Sequence, residues 1–111
     1  EVAPGQMVSG DMVAAEATAD LCGVQACLEL ASKTEGFNYD EYFSTVSNMW
    51  ASVLSPRAMQ QSVLDTHPLS ALRVNVSLQM LDATYEQLGA TEGDDMYLAP
   101  EERIVIWGDK A

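Results

Sequence analysis

The chain has 111 residues, 48% of them hydrophobic, and carries 5 basic against 17 acidic residues for a net charge of −12. That length fits one small domain or a piece of a larger one, with enough apolar content for a core. The charge excludes a nucleic-acid binder, which needs a cationic face for phosphates, and docking on anionic lipid; no apolar run nears the roughly 20 residues of a membrane helix.

Glu1 to Ser9 contains Pro4 and Gly5 and reads as an arm or loop. No cationic n-region with an apolar h-region opens it, so no signal peptide is expected, and Glu1 in first place reads as a mature product or a cut fragment. A helix is predicted from an N-cap at Asp11 to about Lys33, with Gly36 as the stop. Val13, Ala17, Leu21, Val24, Leu28 and Ala31 repeat at steps of four and three, an amphipathic stripe. Glu16, Asp20, Gly23 and Cys27 flank that stripe instead of opposing it, whereas Glu29 projects toward solvent. On one helix Cys22 and Cys27 lie about 140° apart around the axis, too far for a strain-free disulfide. Two thiols do not complete a zinc site, so both read as reduced packing residues of a reducing compartment.

A second helix is signalled by Asn38 with Glu41, an Asn form of the capping box, and by Phe37 with Tyr42 at hydrophobic-staple spacing. Phe43, Val46, Met49, Trp50 and Val53 are its expected core face, and Ser55-Pro56 both stops it and opens a short third helix to about Leu64. Asp65-Thr66-His67-Pro68 breaks the pattern and puts His67 on a turn or extended backbone. Leu69 to Val76 is ambiguous, with room for one helical turn. Leu81 to Leu88 reads as a helix closed by Gly89, and Glu92 to Asp95 as a turn. Ile104 to Trp107 is β-rich and is expected to pair with Met96 to Leu98. The fold class is therefore mainly α, with a short β element near the C-terminus.

Glu16 and Asp20 stand one above the other, four positions apart, a like-charge pair that costs an isolated helix roughly 0.2–0.5 kcal/mol. The first cation in the chain is Lys33. Three readings stay open: solvated acids, acids holding cations from other segments, or one metal ligand with a neighbour orienting a second ligand. His67, the one histidine, lies two residues after Asp65 and six before Arg73. An imidazole and a guanidinium there suit negative charge developing on a carbonyl oxygen. Either is equally a structural group, Arg73 as the partner of any acid. No Ser/His/Asp or Cys/His arrangement, Gly-rich phosphate loop or His-Glu-x-x-His helix is present.

Three stretches, in order, resemble the C-terminal end of the neprilysin-type zinc endopeptidases, which include endothelin-converting enzyme and oligopeptidase O. Gly10 through Glu16-Ala17-Thr18-Ala19-Asp20-Leu21 to Gly23 is similar to that family's Gly-x-x-x-x-Gly-Glu-Asn-Ile-Ala-Asp-x-Gly-Gly. Asp65-x-His67 with Arg73-Val74-Asn75 resembles Asp-x-His-Ser-Pro-x-x-x-Arg-Val-Asn. Gly93-Asp94-Asp95-Met96-Tyr97, then Pro100-Glu101-x-Arg103 and Trp107, resembles the family's terminus. This chain departs at Ala15 for Gly, Ala17-Thr18 for Asn-Ile, and Pro68-Leu69 for Ser-Pro.

The resemblance implies a C-terminal helical part of a thermolysin-like zinc peptidase catalytic domain, spanning 1–111, whose His-Glu-x-x-His helix lies upstream. It implies Glu16 as the third zinc ligand and Asp20 as the carboxylate holding a zinc-bound imidazole. His67 would stabilise the oxyanion and Arg73 would bind a substrate carbonyl. Implied partners are peptide substrates and the upstream catalytic segment, with Zn2+ held by the complete protein and absent or weak here. The piece alone is expected to be inactive, with an exposed apolar face and a dimer as consequences. The rivals are a non-enzymatic acidic interaction domain and a catalytically dead peptidase relative. Ile104 stands where extracellular animal members carry Cys, which points to a bacterial relative and leans toward the cytoplasm over the cell envelope.

Overall fold

The computed structural model describes residues 1–108. Five helices follow in order: α1 Gly10–Ala31, α2 Tyr39–Met49, α3 Pro56–Ser62, α4 Ser70–Gln79 and α5 Asp82–Leu88, then a 3-10 turn at Pro100–Glu102. The mainly helical architecture matches the sequence expectation. α1 packs along α4, and α4 meets α5. Leu21 and Leu28 of α1 enclose the core with Phe43 of α2, Val74 and Leu78 of α4, and Leu81.

The local signals translate directly into geometry. Asn38 Oδ1 accepts the Glu41 backbone N–H at 3.1 Å, and Ser55 Oγ accepts that of Ala58 at 3.2 Å. Each satisfies a donor that a helix start otherwise leaves open. Phe37 and Tyr42 close as expected, ring centres 6.1 Å apart. Gly89 ends α5 at φ 70°, a left-handed conformation that costs glycine nothing. α1 instead starts after Ser9, two residues before the predicted cap, and Asp11 lies in its first turn, where its charge suits the helix dipole.

Four expectations change. α2 ends at Met49, so Val53 is fully exposed in an irregular 51–54 segment rather than on a helical core face, and Met49 is exposed as well. The ambiguous 69–76 stretch belongs to a complete helix, α4, which buries Val74, Ser77 and Leu78. Cys22 and Cys27 are both free, but Cys27 is exposed and packs nothing away. No strand forms among the described residues, whose one bridge joins Ala3 and Gln6, so the expected pairing of 104–107 with 96–98 is absent. Side-chain ties hold that region instead. Arg103, 8% exposed, donates Nε–H to the Leu98 carbonyl at 2.9 Å and Nη1–H to Asp82 at 3.0 Å, with its guanidinium 3.6 Å above the Tyr85 ring. A β-rich run needs a neighbouring edge to pair with, and the helices offer none.

The predicted stripe of α1 faces inward, with Val13, Leu21 and Leu28 buried. Its other side is also apolar: Met12, Ala15, Ala19, Gly23 and Leu30 are all exposed. A helix apolar on both sides is suited to a protein interior. None of the described helices is long and apolar enough to cross a membrane.

α1 and α2 are also joined by Tyr42, whose hydroxyl donates to the Val24 carbonyl at 2.7 Å. Burial, and secondarily electrostatic repulsion from the nearby Cys27 side chain, push the Tyr42 phenol above its usual range. The folded state therefore resists ionisation of this phenol more than the unfolded chain does. Its stabilisation is complete below the ordinary tyrosine pKa and disappears as pH rises through the raised one. Urea midpoints are expected to fall more steeply above pH ~10 in the wild type than in Tyr42→Phe. Parallel curves would exclude this linkage.

Candidate active site

Three helices converge on Arg73. α4 carries the guanidinium, α1 brings Asp20 and Glu16, and Trp50 caps the C-terminal end of α2. Arg73 Nε and Nη2 each donate to one oxygen of Asp20, both at 2.7 Å, a bidentate fork spanning 53 residues of sequence. The side chains are 16% and 12% exposed, so the pair is shielded from water and screened less than a surface ion pair. Hydrogen bonding to Asp20, then the charges of Asp20 and Glu16, hold the guanidinium above its usual value against the opposing effect of burial. It stays charged throughout the accessible pH range.

Glu16 is placed differently. Its carboxylate lies 3.9 Å from Arg73 Nη2, beyond hydrogen-bond reach, and is 42% exposed. The like-charge pair on α1 is thus answered by a cation from α4, with Asp20 taking it outright and Glu16 left open. Of the three sequence readings, the one in which these acids hold a cation from another segment describes Asp20. For Glu16 the available oxygens fit a ligand position. Among the described residues there is no cluster of three His, Cys, Asp or Glu able to close a metal site, so the donor set fits one corner of such a site and no more.

His67 lies apart, on the 65–68 turn, with buried Pro68 anchoring the chain into α4. Asp65 Oδ1 accepts the His67 backbone N–H at 2.8 Å and meets ring Nδ1 at 2.8 Å. The backbone contact, then the side-chain one, holds the Asp65 carboxyl below the usual range. A carboxylate at Nδ1 favours a proton there and directs Nε2 outward. The ring is 60% exposed. Among the described residues no hydrogen bond or ion pair links it to the Arg73 cluster.

Trp50 is the residue that sequence reasoning placed only in the core. Its ring lies 4.0 Å from the Arg73 guanidinium carbon, within cation–π range. It also lines an open cleft of about 550 Å³ with Leu54, Met59, Leu69 and Leu72. Nothing within a few residues of Trp50 signals a cation; the partner lies 23 positions later.

The forked guanidinium and the open carboxylate lie together between α1 and α4, the imidazole stands apart on its turn, and of these groups none lines the cleft beside Trp50. Comparison with known sequences assigns the lineage. The chain belongs to peptidase family M13, which it matches over residues 1–104. It is similar to a neutral endopeptidase of Lactobacillus helveticus, with 33% identity over 101 residues, 90% of this chain and 16% of that protein. It is 31% identical over 100 residues to a neutral endopeptidase of Lactococcus lactis subsp. lactis (strain IL1403), covering 89% of this chain and 16% of the relative. The chain thus spans 16% of the length of these curated relatives. No solved structure matches it.

Proposed function

We propose that this chain is the C-terminal portion of a zinc-dependent endopeptidase acting on oligopeptides, supplying one zinc ligand and groups that position the substrate. The observation carrying this reading is the unequal state of the two α1 acids: Asp20 is forked to Arg73, while Glu16 presents free oxygens beside it. Membership of family M13 supports the chemistry.

Bound zinc would supply Lewis acidity at the scissile carbonyl and lower the pKa of the attacking water. Glu16 would hold the metal through a carboxylate oxygen. Asp20 uses one acceptor site on each oxygen for Arg73 and keeps others for an imidazole N–H from the upstream segment. His67, in the doubly protonated form that donates Nδ1–H to Asp65, would offer Nε2–H to the oxyanion of the tetrahedral intermediate. Arg73 would donate its remaining N–H groups to a substrate carbonyl. The base that takes the water proton would come from the upstream segment of the same protein, which would also cover the apolar outer side of α1. The chain alone would then be inactive and bind zinc weakly. The acidic-module reading has Glu16 and Asp20 both pair with a partner's cations, and at Asp20 Arg73 already fills that place.

The test is zinc content in the whole peptidase. Glu16→Ala is expected to lower zinc affinity by more than the roughly 10–100-fold that removing a supporting partner costs, with peptide hydrolysis lost in parallel. Full metal occupancy in Glu16→Ala would sink the ligand assignment. A whole protein that holds zinc but cleaves no peptide would instead favour a dead relative.

A further inference from the structure

A guanidinium has five N–H donors in one plane. In Arg73 the Nε donor and one Nη2 donor are spent on Asp20, and Nη1 has no bonded partner among the described residues. A two-point fork fixes the guanidinium in the plane of the carboxylate but leaves it free to hinge about the fork. Hinging would sweep Nη1 through an arc, so the fork by itself does not aim that donor.

The Trp50 ring opposes that motion, sterically on its own side and by its attraction for the cation on the other. It stands 4.0 Å from the guanidinium carbon. Fork and ring therefore constrain different motions of one group, the first within the plane and the second out of it. The site is sheltered, with the Arg73 side chain only 16% exposed, so the attraction to the ring is weakened little by solvent. Trp50 itself is held at the end of α2, where its backbone N–H bonds to the Ser47 carbonyl at 3.3 Å.

We propose that Trp50 is a positioning residue: its indole holds the Asp20-forked guanidinium of Arg73 so that Nη1 is aimed as a ready donor for a peptide carbonyl. This rests on the peptidase reading above, and it adds a role that Trp50 exerts through Arg73. A second role for Trp50, as a wall of the neighbouring cleft, would act on substrate side chains directly and independently of Arg73. The two differ in what happens once Arg73 is gone.

The experiment is a double-mutant cycle in the whole peptidase containing this chain, read as KM and kcat on a short peptide series with zinc content measured alongside. Trp50→Leu is expected to raise KM roughly tenfold, with kcat changed less than about twofold and zinc unaltered. Trp50→Phe, which keeps a π face, is expected to recover most of the loss. In an Arg73→Met background, Trp50→Leu is expected to do almost nothing more. Independent, multiplying losses in the double mutant would overturn the proposal in favour of a cleft wall. The same protein labelled with 15N gives a reading that needs no activity: rotation of the Arg73 Nη groups should quicken in Trp50→Leu and stay slow in Trp50→Phe. Unchanged rotation in Trp50→Leu would likewise overturn it. A wild-type protein without zinc or peptidase activity would instead remove the proposed function, leaving the hold of Trp50 on Arg73 to be decided by that rotation.

Discussion

Asp20→Ala is expected to cost the chain about 2–3 kcal/mol, seen as a fall of roughly 1–2 M in the urea midpoint. The variant strands a guanidinium that is only 16% exposed and was doubly bonded to the missing carboxylate. Removing one partner of a fully buried pair costs about 3–5 kcal/mol, mostly because the other charge stays buried and unpaired. Here Glu16, at 3.9 Å, can move in as a partial substitute and reduces the loss. Replacing both partners, Asp20→Leu with Arg73→Met, should recover most of it, since no charge is then left in a sheltered site. A midpoint for Asp20→Ala indistinguishable from wild type would show that the fork stabilises nothing and that Arg73 is well solvated without it.

The second large effect is expected one residue later. Leu21, 5% exposed, reaches into the core where α1 lies along α4. Leu21→Ala is expected to lose about 2–5 kcal/mol through lost burial and the cavity left behind. That is a large share of the 5–15 kcal/mol typical of a whole domain. Leu30, on the same helix but 70% exposed, serves as the control, and Leu30→Ala should stay within about 0.5 kcal/mol of wild type. Equal losses at the two positions would contradict the orientation of α1. Because Asp20 precedes Leu21 on the same turn, Leu21→Ala should also disturb the Arg73 fork.

What could be read in advance follows the range of each interaction. The Asn38 and Ser55 caps and the Gly89 stop depend on residues three or four apart, and all three lie where their spacing put them. α4 was obscured by its own pattern. Leu72, Val74, Val76 and Leu78 alternate as a strand would, while the face actually buried runs Val74, Ser77, Leu78 and Leu81, with a serine interrupting the apolar period. Ile104-Val105-Ile106 has the opposite history: high strand propensity, but no sheet edge to satisfy it, so the buried Arg103 decides the local path. In the candidate site, the unneutralised charge of Glu16 and Asp20 was plain from sequence. Which cation would answer it was not, because that depends on how α1 and α4 pack. Trp50 was legible as an aromatic and illegible as the partner of Arg73 for the same reason.

The span of the Asp20–Arg73 fork also has a consequence for synthesis. The two residues are 53 apart, with α2 and α3 between them. A ribosome adding about 5–20 residues per second takes roughly 3–10 s to deliver Arg73 after Asp20 has been made. Through that interval α1 has neither α4 along its inner stripe nor the guanidinium that answers Asp20, while α2 can already form on its own cap. A nascent chain at this stage leaves the inner apolar stripe of a long helix-forming segment uncovered, which is the kind of surface that holdase chaperones capture. Arrival of α4 covers the stripe and neutralises Asp20 in one event, so this half of the site is assembled when the fold closes and not before.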